Sequence, residues 1–177
     1  MIKFKFFKHL YTITHHRHLV FRHALKCGIG FQGLVHDLSK YNLVEFIPGV
    51  KYYKGTASPT ENERLDKGFS QAWLHHKGRN KHHFEYWYDY NEKIKSYEPV
   101  KMPIKYVKEM FCDRLAASKT YLKKSYRDDS AYIYFVTHQA RTLMHPATAE
   151  LLTYWLEYLK DHGEKKTFKM IRKTKSY

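Results

Sequence analysis

Apolar residues recur every three to four positions along most of this chain, and glycine or proline interrupts the pattern at short intervals. That rhythm restricts the chain to short packed helices. His16, Val20, His23 and Cys27 fall at i, i+4, i+7 and i+11 on one face of a helix predicted from about His15 to Cys27. Thr14 is its expected cap, and Gly28 and Gly30 are its stop. A second helix is predicted from near Gly33, with Leu34, Val35, Leu38 and Tyr41 on one side, ending before Pro48-Gly49. Residues 51–67, with Gly55, Ser58, Pro59, Thr60 and Asn62, read as a loop holding at most a helical turn. Phe69, Ala72, Trp73 and His76 mark a third helix. Gly78-Arg79-Asn80 breaks it, and Phe84, Trp87, Tyr88 and Asn91 restart a helical stripe. Pro103 opens a helix carrying Tyr106, Val107, Met110, Phe111, Asp113 and Ala117, and Ala131 to Met144 and Ala147 to Lys160 add two more. Nothing alternates with period two for long. The expected fold is all-α: one compact helical domain over residues 1–162, then a Lys-rich, frayed basic tail over 163–177.

The length of 177 residues suits one domain, which can bury its core without disulfides. No apolar run approaches a membrane span of about 18 residues. Residues 1–10 mix lysines with phenylalanines, unlike a secretory signal. The two cysteines, Cys27 and Cys112, sit at no metal-ligand spacing. A cytoplasmic location is the expectation. The formal charge of +15, from 32 Lys and Arg against 17 Asp and Glu, favours anionic partners such as nucleotides or nucleic acid.

Thirteen histidines are present, ten of them before residue 84. Neutral imidazole is the commonest metal ligand, and ligands of one ion must point the same way, so helical phase sorts them. His16 shares the apolar face of its helix, with His23 as a second candidate, whereas His15 and His18 project elsewhere. His36-Asp37 joins an imidazole to a hard carboxylate, a mixture suited to Zn, Mn, Fe or Co. Leu34, Val35 and Leu38 around the pair argue for burial, and a buried carboxylate needs a cation or donors. Neighbours on a helix diverge by about 100°, so both reach one ion only from the helix flank. Lys40 follows a turn later.

In Trp73-Leu74-His75-His76-Lys77-Gly78-Arg79-Asn80-Lys81-His82-His83, four histidines lie within nine positions. His76 continues the apolar face and is preferred to His75 as a ligand. Arg79, Lys81 and His82 are expected to bind an anionic substrate, and whether His82 or His83 is a ligand stays open. Asp113 sits between Met110 and Ala117 on its own face; pairing with Arg114 or Lys119 at the surface is the alternative.

In order, His16, His36-Asp37 and Asp113 resemble the H…HD…D ligand pattern of the HD-domain superfamily of helical, metal-dependent phosphohydrolases. The stretches HRHLVFRHALKCG, GLVHDLSKYNLVEFIPGVKYY, AWLHHKGRNKHHFEYW and MPIKYVKEMFCDRLAASK are similar to a family of short bacterial and phage proteins. The resemblance implies one or two divalent transition metal ions (Mn, Co, Zn or Fe) held by His16, His36, Asp37, His76 and Asp113. It further implies a metal-bound water as nucleophile, with Asp37 or His83 as catalytic acid or base. Lys40 and Arg79 would neutralise charge on phosphate oxygens. The implied reaction is hydrolysis of a phosphoester in a nucleotide-like substrate, with homo-oligomerisation open. Two other readings remain: a basic nucleic-acid-binding helical protein with a structural or inactive metal site, and a di-iron oxygenase of HD type.

Overall fold

The computed structural model describes residues 2–177. The elements run α1 (Ile2–Cys27), α2 (Gly30–Val35), a 3₁₀ turn (Leu38–Tyr41), α3 (Leu43–Lys51), α4 (Pro59–Lys67) and α5 (Gln71–Lys77). A second 3₁₀ turn (Phe84–Tyr86) leads into strands β1 (Tyr88–Asn91) and β2 (Ser96–Pro99). Then come α6 (Ile104–Leu122), a third 3₁₀ turn (Lys123–Ser125), α7 (Ser130–Thr137), α8 (Ala140–Leu143) and α9 (Pro146–Lys173). The architecture is mostly helical, with one antiparallel hairpin.

Several elements differ from the sequence-based expectation. The first helix begins at Ile2 rather than His15. Thr14 caps nothing; its hydroxyl is hydrogen-bonded to that of Tyr41. The buried stripe continues upstream through Ile13 to His9, so packing supports the helix well ahead of His15. The second predicted helix is split in two. α2 ends at Val35, and α3 starts afresh at Leu43 with the Asn42 side chain accepting from Val44 N–H. α3 runs through Pro48 to Lys51. The presumed loop contains α4, opened by Pro59 and closed by Gly68 at φ 79°. The stripe expected after Phe84 is the β hairpin, in which Tyr88 pairs with Pro99 and Asn91 with Ser96. Asn91 turns the chain there by accepting from the Lys93 N–H.

The tail is not frayed. α9 continues past a kink at Gly163, whose φ of 73° suits glycine, and it carries buried Thr167, Phe168 and Ile171. The main core joins α1, α6, α7 and α9 through Phe111, Leu115, Phe135, Trp155, Leu156 and Phe168. Phe111 and Trp155 meet edge to face. The close approach that positions the site is at Gly33, where an added Cβ would fall 2.4 Å from Ala24 Cβ and 3.1 Å from the Phe21 backbone. Only a bare α-carbon lets α2 lie so tightly on α1, and this delivers residues 36 and 37 beside His16.

Candidate metal centre

The His36-Asp37 pair lies not on a helix but on the break after one. His36 is extended (φ −51°, ψ 131°) and Asp37 is left-handed (φ 53°, ψ 27°). A left-handed residue is disfavoured for most side chains but tolerated by aspartate. Breaking the helix removes the 100° divergence between neighbours, so both side chains turn into the protein. Arg17 on α1 holds the break open. Its Nε donates to the His36 carbonyl at 2.7 Å, and a terminal nitrogen donates to the Leu34 carbonyl at 3.0 Å. These two bonds satisfy carbonyls that the interrupted helix leaves free. Leu34, Val35 and Leu38 are exposed at 58%, 41% and 52%, whereas His36 and Asp37 are 1% and 0% exposed. Burial of the pair therefore comes from α1, α5 and α6, not from its apolar neighbours in sequence.

Around Asp37 two groups of ligand atoms form. His16, His36, Asp37 and Asp113 make the first, and Asp37, His76, His82 and His83 the second. In the first, His16 Nε2 is 2.9 Å from Asp113 Oδ1 and 4.0 Å from Asp37 Oδ2, and His36 Nε2 is 3.3 Å from Asp37 Oδ2. In the second, His76 Nε2 and His82 Nε2 lie 3.3 Å and 3.5 Å from Asp37 Oδ1. Asp37 thus presents one oxygen to each group. Ligand bonds of about 2.0–2.2 Å in a tetrahedral shell put neighbouring donor atoms roughly 3.4 Å apart, and the observed separations bracket that spacing.

The hydrogen-bond inventory supports the same reading. His16 Nε2, His36 Nε2, His82 Nε2, His83 Nε2 and both Asp37 oxygens are buried with no hydrogen-bond partner. Orphaned buried polar atoms are rare in folded proteins. Six of them converging on one place fit a cation rather than a hydrogen-bond network. His16 and Asp113 make the point most sharply, since they approach to 2.9 Å without hydrogen-bond alignment.

The far sides of the imidazoles are held by carboxylates. His36 Nδ1 donates to Glu109 Oε1 at 2.9 Å, and His82 Nδ1 lies 3.1 Å from the same oxygen. His76 Nδ1 donates to Glu45 Oε2 at 2.8 Å, and His75 Nδ1 to Glu45 Oε1 at 2.6 Å. A proton on Nδ1 leaves the Nε2 lone pair free to ligate, which is the usual outer support of a metal-binding histidine. Asn80 adds a hydrogen bond to the His76 carbonyl and one to Ser39, tying α5 to the turn after Asp37.

Charge is arranged to match. Burial would raise the Asp37 carboxyl, but His36, Lys40 and His76 outweigh it and hold it well below the carboxylate range. Asp113 is likewise held low against burial, by the His16 and His36 imidazoles beside it. Burial also opposes ionisation of Glu109, yet His36 and His82 bring it to about 2. Burial pushes the His16 and His83 imidazoles down, so both are neutral lone-pair donors at pH 7. Lys40 Nζ lies 2.7 Å from Asp37 Oδ2. Burial works against its charge, and Asp37 restores and raises it.

Residues 5–158 match a family of unknown function, DUF5662. The chain belongs to that family. No curated protein and no solved structure matches it.

In this DUF5662 chain, five expected ligands come together: His16, His36, Asp37, His76 and Asp113. His82, expected to touch substrate and open as a ligand, lies beside His83 in the group with Asp37 and His76. Arg79 and Lys81 are exposed and do not line the cavity over the cluster. They line a second groove of about 550 Å³ with Lys105 and Tyr106, which reaches His36, His82 and Glu109 of the cluster. His23 is buried but apart, stacked on Phe168 with Nδ1 3.4 Å from the Cys112 carbonyl. Asp113 pairs with neither Arg114 nor Lys119; Lys119 is paired with Glu164.

Glu45 and Glu109 were missed. Glu109 stands one helical turn before Asp113, and that i, i+4 acidic spacing on an apolar helix was a usable signal. The lone acid in the apolar segment of α3 was another. Over the cluster lies a cavity of about 640 Å³, walled partly by Tyr53, Trp73, Tyr121 and Tyr134, with Lys40 and Arg114 also lining it. No described helix is long and apolar enough to cross a membrane.

Proposed function

We propose that this protein is a metal-dependent phosphohydrolase acting on a nucleotide-like phosphoester. The observation that carries the reading is Asp37, fully buried, offering Oδ2, which Lys40 also approaches, to the His16/His36/Asp113 group and the unpartnered Oδ1 to the His76/His82/His83 group. His16, His36, Asp37 and Asp113 would hold one divalent transition metal ion, and Asp37, His76, His82 and His83 a second. Such ions supply a water ionised near neutral pH and positive charge for phosphate oxygens. Lys40, lining the cavity beside Asp37, adds positive charge where the phosphate would sit. His83, kept neutral by burial, supplies a lone pair as ligand or as proton acceptor. Glu45 and Glu109 fix the imidazoles so that little reorganisation is needed. The aromatic wall excludes water and fits a base or similar ring.

The experiment is elemental analysis of the purified protein, then a phosphate-release screen over nucleotides with Mn, Co, Zn or Fe restored. Bound metal with metal-dependent phosphate release is expected. Two irons with oxygen consumption would instead select the oxygenase reading. A second reading, nucleic-acid binding beside a structural metal site, draws on Arg79, Lys81 and Lys105 lining one groove that also reaches His36 and His82. Salt-sensitive oligonucleotide binding without turnover would favour it.

A further inference from the structure

Arg114 follows Asp113 on α6, and the step of about 100° per residue turns its side chain away from the ligand cluster. It still lines the 640 Å³ cavity. Its Nε is buried and has no hydrogen-bond partner, and none of the ion pairs among the described residues includes it. Its guanidinium faces a π system, with Cζ 4.9 Å from the Phe135 ring centroid, and Asp113 and Glu85 favour its charge only from beyond ion-pair distance. Arg114 is half-buried; its guanidinium stays charged at any ordinary pH, and a buried donor nitrogen is costly unless it is hydrogen-bonded. A single π contact offsets little of that cost.

Of the other cations of the cavity, Lys40 is paired with Asp37, and Arg64, lying over the Trp73 ring, has no buried nitrogen left without a partner. Arg114 is therefore a fork of donors with no partner, inside a cavity whose wall includes Trp73, Tyr121 and Tyr134. The nearby carboxyl of Glu85 does not fill that role. Its Oε2 is buried without a hydrogen-bond partner, and it forms no ion pair with Arg114.

We propose that Arg114 anchors a second anionic group of the substrate, so that the site selects phosphoesters carrying a further phosphate or carboxylate on an apolar or aromatic body. The inference rests on the phosphohydrolase reading only for the group that reacts; the anchor itself is a binding site. A bidentate guanidinium contact to either oxyanion has the same chemistry.

The test uses metal-loaded full-length protein and compares wild type with Arg114→Gln and Arg114→Lys. Calorimetric titration with pyrophosphate, phosphoglycolate and inorganic phosphate separates two phosphates, phosphate plus carboxylate, and one anion. Wild type is expected to bind at least one of the first two tenfold or more tighter than inorganic phosphate. Arg114→Gln should lose that preference and Arg114→Lys should keep part of it, with melting temperature and metal content showing that both variants are folded. The same preference should appear in kcat/KM, mainly through KM, for esters with two anionic groups over 4-nitrophenyl phosphate. A preference unchanged in Arg114→Gln, or no preference in wild type, overturns the anchor. If no ester is turned over, the hydrolase reading fails, and calorimetry alone decides the anchor.

Discussion

One carboxylate touches both candidate ligand groups: Glu109 Oε1 accepts a hydrogen bond from His36 Nδ1 at 2.9 Å and lies 3.1 Å from His82 Nδ1. His36 belongs to one group around Asp37 and His82 to the other, and their rings are 4.4 Å apart. Glu109 thus touches both groups, and with His36 and His82 it forms a third set that could hold an ion.

Replacing Glu109 tests that double contact. Glu109→Gln keeps the volume but removes the charge that holds both imidazoles in the Nε2-ligating tautomer. Metal affinity should fall about 10- to 100-fold, read by competition with a chromophoric chelator. Metal content should drop for both ions together if both groups depend on it. Affinity equal to wild type would remove Glu109 from the centre.

Asp37 has a conformational role as well as an electrostatic one. Asp37→Asn keeps the tolerance for φ 53° and removes the shared anion. Asp37→Ala also removes the anion and adds left-handed strain of about 1 kcal/mol. Both variants, and His36→Ala, should lose metal and activity while circular dichroism stays helical, with Asp37→Ala melting lower than Asp37→Asn. Full metal occupancy in a His36→Ala/Asp37→Ala double variant would sink the site.

Two histidines outside the cluster make stability depend on acid. Burial, helped by nearby lysines, pulls His9 down to about 4 and His23 to about 3. Both are neutral in the fold, while the unfolded chain protonates them below about 6.5. Unfolding therefore takes up protons below about 6.5, and stability falls with pH until the folded-state values are reached. Each contributes a slope of up to about 1.4 kcal/mol per pH unit within its window. Urea midpoints at pH 7, 5.5 and 4.5 should decline, and less steeply in His23→Gln. A flat profile over that range would contradict neutral burial of these rings.

The helical C-terminal segment is open to a direct measurement. Phe168 is buried between α1 and α6, against His23 and Phe111. Phe168→Ala should cost about 3–5 kcal/mol, read from urea unfolding. A frayed tail would give a change near zero.

The helical class was legible because the 3.6-residue period is a local property, written in the spacing of Val20, Cys27, Met110, Leu152 and Leu159. The same phase argument singles out His16 from His15 and His18, and His76 from His75, since burial on one face excludes neighbours on the next. Glu109 was within reach of the same reasoning through its turn-spacing to Asp113. The limits are equally specific. The hairpin at Tyr88 to Pro99 was hidden because four-residue strands carry too few positions for a period to declare itself.

The break at His36-Asp37 was beyond the local pattern, because it depends on Arg17, nineteen residues earlier, capturing the His36 carbonyl, and on Gly33 seating α2 against Ala24. The inward turn of His82 with the outward turn of Lys81, and the lone guanidinium of Arg114, are also products of packing. Sequence by itself determined which residue types could make a metal centre and on which helix faces they stand. Only the tertiary structure decided that residues far apart in the chain converge on Asp37, because convergence is set by how helices cross and where they break, and those contacts have no signature in the spacing of any one segment.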